Sequence, residues 1–247
     1  MTTSDVHDDR GAALAAWVAM AGAVLVSIAN IIHPRTANIA TAEGLLATIA
    51  PSRFWLLYHL GIVFTLVMMV VGTIGIGRHL VAGLGRSLRV MAEGALIAGT
   101  SVLLVNFAFD GIAFKSIADF WASAEPGQQA DIVLFVARPV VVVGFSLFSM
   151  AMITFFGVPF VLYAAAVVAD RGHPWWIAVV GFLAGVGGIV TGTMQVLRGP
   201  SRLTIDYMFP PVAAVGTVFV FLLGASVLRQ VRASRRPALT DVPEPAA

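Results

Sequence analysis

Seven side chains able to do chemistry stand within the long apolar stretches of this 247-residue chain: Asn30, His33, His59, Asn106, Asp110, Arg138 and Gln195. Ionisable groups at membrane depth are costly and usually mark pathways or sites. His59 and Asp110 are the candidates for catalysis, as a general acid or base in low-dielectric surroundings. Asn30, His33, Asn106, Arg138 and Gln195 are the candidates for ligand binding. Each has a plainer reading beside that one. His33 precedes Pro34 at a helix end, where an imidazole bonds free carbonyls. His59 beside Tyr58 reads equally well as an interfacial histidine bonded across helices. Asp110 and Arg138 lie at similar distances from a turn at Pro126, so the expectation for them is an ion pair locking a hairpin. Such a pair offsets the roughly 2.5–3.5 kcal/mol that insertion scales assign to a charge at mid-membrane. Asn106 and Gln195 serve as interhelical glue as often as ligand contacts.

Metal and haem chemistry are weighed on the same residues. Imidazole and carboxylate suit several transition metals, so His33, His59 and Asp110 form a geometrically possible set. No His-x-x-x-His or Glu-x-x-His spacing is present. No metal site or cofactor is therefore predicted, and haem and a metal ion both stay open. The absence of cysteine removes disulfides, thiolate metal sites and thiol redox chemistry from this chain.

The elements that must position these residues follow from composition. Apolar residues make up 59% of the chain and charged residues 11%, with a mean hydropathy of +0.92. Soluble domains carry about a quarter charged residues, so the chain reads as a polytopic membrane protein. The net charge of +2 comes with no basic patch interleaved with aromatics, which argues against nucleic acid as a partner.

Apolar runs of about 20 residues or more mark membrane spans, and six are expected. The fold class is thus an all-α bundle of six transmembrane helices. Residues 1–11 read as a disordered acidic tail, 12–229 as the membrane domain and 230–247 as a disordered Arg/Pro-rich tail. The first span, 12–32, is too long for a signal-peptide core and is expected to be uncleaved. Residues 36–52 form a weakly amphipathic connector, with Leu45, Leu46 and Ile49 on a membrane surface and Glu43 in water. The second span covers 54–77, with Trp55 and Tyr58 as interfacial anchors. The third begins near Val90 and continues helically to Trp121; the fourth covers 132–168, with kinks at Pro139 and Pro159. Together they predict a long hairpin protruding around Pro126. The fifth span covers 175–197 and the sixth opens at Pro210-Pro211.

Arginine in short loops sets orientation. The second-to-third loop and the C-terminal tail hold seven arginines, which predicts cytoplasmic termini in the cell membrane. The candidate residues then gather at the extracytoplasmic ends of the first five spans. Gly181, Gly185, Gly188 and Gly192 recur at helical spacing on the fifth span, a small-residue face suited to a helix-packing partner.

Several features together resemble a family of uncharacterised bacterial multi-pass integral membrane proteins, a domain of unknown function. They are the long third and fourth helices around an acidic turn (Asp119, Glu125, Asp131), then Asp170-Arg171-Gly172-His173-Pro174-Trp175-Trp176 leading into Gly181. The resemblance covers roughly residues 86–197. It implies a fold and a location and carries no activity or site residues. In type, the size and buried acids are also similar to membrane-embedded terpene cyclases, without a shared motif.

The functional expectation is an integral membrane protein with a polar ligand pocket at the extracytoplasmic ends of helices 1–5. Its partners are the bilayer and a lipophilic or small anionic ligand held by Arg138. The alternative is a membrane-embedded enzyme of cyclase or isomerase type using His59 and Asp110. A transporter is disfavoured, since neither an inverted repeat nor a broken helix with polar groups at the midplane is legible.

Overall fold

The structure, a computed structural model, describes residues 3–35, 41–80 and 83–234; for residues 3–8 it describes the backbone only. Among the described residues all regular structure is helical. The elements are α1 (Thr3–Ile32), α2 (Ala42–Ile49), α3 (Trp55–Gly77), α4 (Gly83–Phe107), α5 (Phe114–Ser123), α6 (Gln128–Thr154), α7 (Val158–Asp170), α8 (Trp175–Arg198) and α9 (Phe209–Ser234). A π-helical stretch, Ala108–Ala113, joins α4 to α5, and a second, Leu203–Met208, leads into α9. Six continuous or nearly continuous helices are long and apolar enough to cross a membrane, and the chain is a six-helix transmembrane bundle.

Packing orders the spans as a ring: α1 against α3, α3 against α4, α4 against α6 and α7, these against α8, α8 against α9, and α9 back against α1. Small residues set the closest seam. Gly22 of α1 lies on the backbone of Met69, and Gly72 of α3 lies on that of Ala19, so a side chain at either glycine would force the helices apart. Halfway along, Leu66, Met69, Leu96, Phe160 and Phe219 fill the middle of the ring.

The third and fourth spans run 41 and 43 residues, from Gly83 to Ser123 and from Gln128 to Asp170. At about 1.5 Å per residue such a length is twice the ~30 Å hydrocarbon core, and the expected hairpin is present. Its base is braced by α2. Leu45, Leu46 and Ile49 are buried against Trp55, Phe114, Ala118 and Ala137, so the connector packs on protein where a membrane surface was expected. The reason is that the hairpin supplies an apolar wall beside it, while Glu43 does face outward. Lys115 Nζ fastens this arrangement, donating to the carbonyl of Ala50 at 3.1 Å and to Asp119 at 2.6 Å.

Several boundaries differ from expectation. The acidic segment before residue 12 is helical from Thr3; no proline precedes Pro34, and acidic residues suit a helix N-terminus. The C-terminal helix reaches Ser234, and the rest of the expected disordered tail lies outside the described residues. The helix passes through Pro139 without interruption, whereas the chain breaks at residues 155–157, between α6 and α7, just before Pro159. The fourth span is therefore a broken helix. Gly99 of α4 and Gly188 of α8 close on the backbone of the break. The glycine face of α8 is used up in the same way: Gly185, Gly188 and Gly192 abut α6, α7 and the break between them, and Gly181 meets Ala164 and Phe219. The helix that this face was expected to receive from a partner is the chain's own fourth span.

Candidate functional site

At the end of the bundle that holds the C-terminus of α1 and the N-terminus of α3, the ring opens into a cavity of about 160 Å³. Its deeper wall is apolar, with Leu66, Leu103, Phe148 and Phe156. Its polar wall is built from Asn30, His33, His59, Asn106, Asp110 and Asp206.

His33 sits just past the last turn of α1, where Pro34 ends the helix. His59 stands one turn into α3 and is 4% exposed. Their rings meet edge to face, with centroids 4.9 Å apart. Each ring commits its Nδ1 to a backbone carbonyl: His33 to Pro34 at 2.9 Å and His59 to Trp55 at 2.9 Å. A carbonyl oxygen only accepts, so both Nδ1 atoms carry hydrogen, and in the neutral rings both Nε2 atoms present lone pairs.

Asp110 completes the group. Its Oδ2 lies 3.0 Å from His59 Nε2, off the line a hydrogen bond from that nitrogen needs, and the buried Nε2 has no hydrogen-bond partner among the described residues. A lone pair facing a carboxylate is repulsive. The contact requires positive charge, as a proton or a cation. One ring nitrogen of each histidine and a carboxylate oxygen of Asp110 lie within 4.8 Å of one another.

Trp55 arranges all three. It is 1% exposed, and its indole Nε1 donates to the carbonyl of Asp110 at 2.8 Å. Its own main-chain carbonyl accepts the hydrogen bond from His59 Nδ1, and its ring lies 5.0 Å from that of His33. The expectation of an interfacial anchor at Trp55 is thus corrected: α2 and the hairpin cover it, and its polar handle points inward. The π-helical stretch places Asp110 where the α-helical ladder loosens, and Gly111 lets that turn come against His59. A Cβ on Gly111 would stand 2.9 Å from the Cβ of His59.

The expected Asp110–Arg138 pair is absent. Arg138 is exposed, outside the cavity, and makes no ion pair among the described residues. Both residues are at the right height, but on α6 the inward positions are Val133 and Ala137, and one residue further turns Arg138 outward. Gln195 is not in the cavity either; it is buried on the packed face of α8. Asn30, whose amide donates to Val26 at 2.9 Å, and Asn106 do line the cavity.

Sequence reasoning missed Asp206, which sat in an apparent loop. It lies in the second π-helical stretch, 3.5 Å from Arg202 Nε. Pro210 and Pro211 withhold amides that a regular ladder would send to the carbonyls of Asp206 and Tyr207, and that double proline was the available signal. Both acids of the cavity therefore stand on π-helical turns, a local form frequent at functional sites. Arg35 stands at the mouth. Burial is the largest influence on His33 and lowers its pKa, with Asp110 opposing, which favours the neutral ring.

No family model, curated protein or solved structure matches the chain. Fold and site define a class by themselves: a polytopic helical membrane protein with a part-polar cavity at one end of its bundle.

Proposed function

We propose that this protein is an integral membrane protein of a bacterial cell membrane that binds an amphiphilic, lipid-like molecule in the cavity at the extracytoplasmic end of the bundle. One observation carries the reading. An apolar pocket of about 160 Å³, room for part of an acyl chain, ends in a polar wall drawn from the end of α1, α3, α4 with its π-helical turn, and the turn before α9. The seven arginines of the second-to-third loop and C-terminal tail support cytoplasmic termini, with the cavity at the opposite face. An anionic occupant held by Arg138 loses its support, because that side chain points away. The polar wall instead offers two imidazoles, two carboxylates and, at the rim, Arg35.

The test is photo-crosslinking of the full chain in nanodiscs with a diazirine-bearing fatty acid. Labelling is expected on peptides containing Phe148, Phe156 and Phe209, and Leu103→Trp, which fills the deep wall, is expected to lower it several-fold. Labelling confined to outward-facing residues such as Phe64 and Val71 of α3, unchanged in the filled variant, overturns the reading.

The His59–Asp110 contact supports a second reading, a membrane-embedded enzyme acting on that lipophilic molecule. In it the pair moves a proton at the polar end of the cavity. Turnover of a bound lipid, lost in Asp110→Asn, is its measurement.

A further inference from the structure

We propose that His33, His59 and Asp110 form a binding site for one divalent first-row transition metal ion of the zinc(II) or iron(II) class, whose open coordination positions face the cavity. The inference rests on the reading of that cavity as a binding site and names what its polar end holds.

Three observations carry it. The first is the donor set: two imidazoles and one carboxylate, from the residue after α1, from α3 and from the π-helical turn, with a ligand atom of each within 4.8 Å of the others. Two histidines and a carboxylate with positions left open suit iron(II) and the three-ligand catalytic form of zinc. The second is tautomer control. Both Nδ1 atoms donate to main-chain carbonyls, at Pro34 and Trp55, leaving Nε2 on each ring to ligate. Histidines that bind metals almost always donate their other ring nitrogen in this way. The third is an unmet need. His59 Nε2 is buried, has no hydrogen-bond partner among the described residues, and stands 3.0 Å from a carboxylate oxygen. A cation between them converts that repulsion into two bonds.

The geometry needs little adjustment. Metal bonds of about 2.0–2.2 Å set tetrahedral ligands about 3.4 Å apart. A pair 4.8 Å apart must therefore close by up to about 1.4 Å, within reach of side-chain rotation in a cavity that leaves Asp110 32% exposed. Asn30, Asn106 and Asp206 share the polar wall and the deeper wall is apolar, so positions that these side chains do not take fall to water or to an oxygen donor on the amphiphile, a carboxylate or phosphate group.

The experiment loads the full-length protein, purified in detergent and stripped with chelator, with cobalt(II) alone, reading visible d–d absorption and bound metal by mass spectrometry. The expected result is about one ion per chain, with affinity at least tenfold weaker in Asp110→Asn and in His33→Gln. Asp110→Asn keeps the shape of the side chain, and retained helicity confirms that each variant is folded. Arg138→Gln is expected to bind as the parent does. Stoichiometric binding that survives in both folded ligand variants, or no binding by the folded parent, overturns the site. The Leu103→Trp protein separates the two readings: metal retained while fatty-acid labelling is lost supports both. Labelling of the parent without metal binding overturns the metal site and leaves the lipid pocket standing.

Discussion

Trp55 and Asp110 are joined by a hydrogen bond from the indole Nε1 to the aspartate's main-chain carbonyl, 2.8 Å long and 55 residues apart in sequence. The bond ties the first turn of α3 to the π-helical turn of the third span. Because the main-chain carbonyl of the same tryptophan accepts from His59, one buried residue sets the position of the acid through its side chain and the tautomer of the base through its backbone. The carboxylate itself remains free to face His59 and the cavity.

Trp55→Phe keeps the ring and removes the donor. A typical hydrogen bond is worth about 1 kcal/mol, and leaving a buried carbonyl unmet raises the cost to about 1–3 kcal/mol. The variant is expected to fold, to melt lower in detergent, and to bind cobalt about tenfold more weakly, as loss of an orienting partner does. Unchanged metal affinity together with a lowered melting temperature would confine Trp55 to a packing role.

Gly111→Ala tests the close approach on the other side of His59. The added methyl would stand 2.9 Å from His59 Cβ and 3.0 Å from its Cγ, so the ring or the turn must move. Overpacking of this kind costs about 1–3 kcal/mol. Gly61→Ala, in the same helix as His59 but with open space around it, is the control and is expected to be neutral or slightly stabilising. Equal melting temperatures for the two variants would contradict the crowding.

Depth was legible in the sequence and azimuth was not. Run lengths and loops fix how high a residue sits, which is why His33, His59, Asn106 and Asp110 were placed together correctly. Arg138 and Gln195 share that height but point elsewhere, since one step along a helix turns a side chain by about 100°. Two local departures also hid from a periodic reading. The π-helical turns shift the phase around Asp110 and Asp206, and Trp55, at a span boundary where anchors are common, is covered by a short helix whose apolar face reads equally well as lipid-bound.

Arg138→Gln follows from that azimuth. An exposed side chain without an ion pair among the described residues contributes little, so the change in stability is expected within about 0.5 kcal/mol. Fatty-acid labelling should match the parent. A fall in melting temperature of several degrees would restore the hairpin-lock reading.

His173 gives a pH dependence at the other end of the bundle. It lies in the turn between α7 and α8, buried, with Nδ1 2.8 Å from Ser226 Oγ. Burial lowers its pKa below 6.5; Asp170 acts in the opposite sense and His79 in the same sense. The folded protein therefore resists protonation that the unfolded chain accepts. Above pH 6.5 this costs nothing, and stability falls as pH drops through 6.5 towards the lower folded value. Melting curves between about pH 7.5 and 5 should show a smaller decline in His173→Gln than in the parent. Parallel declines would assign the acid sensitivity elsewhere.

Gln195 makes the sharpest energetic test of the packed wall. Its side chain is 3% exposed, and neither its amide nitrogen nor its oxygen has a hydrogen-bond partner among the described residues; Thr191 Oγ1, one turn earlier, shares that condition. Burying such a group unpaired costs about 1–3 kcal/mol, whereas an unbranched thioether of similar length carries little to satisfy. Gln195→Met is therefore expected to leave the melting temperature unchanged or raise it by several degrees, with cobalt binding at the far wall unaltered. A clear fall in melting temperature would show that the amide is engaged in the native membrane protein, and a fall in metal affinity would bring Gln195 back into the site from which its position on α8 removes it.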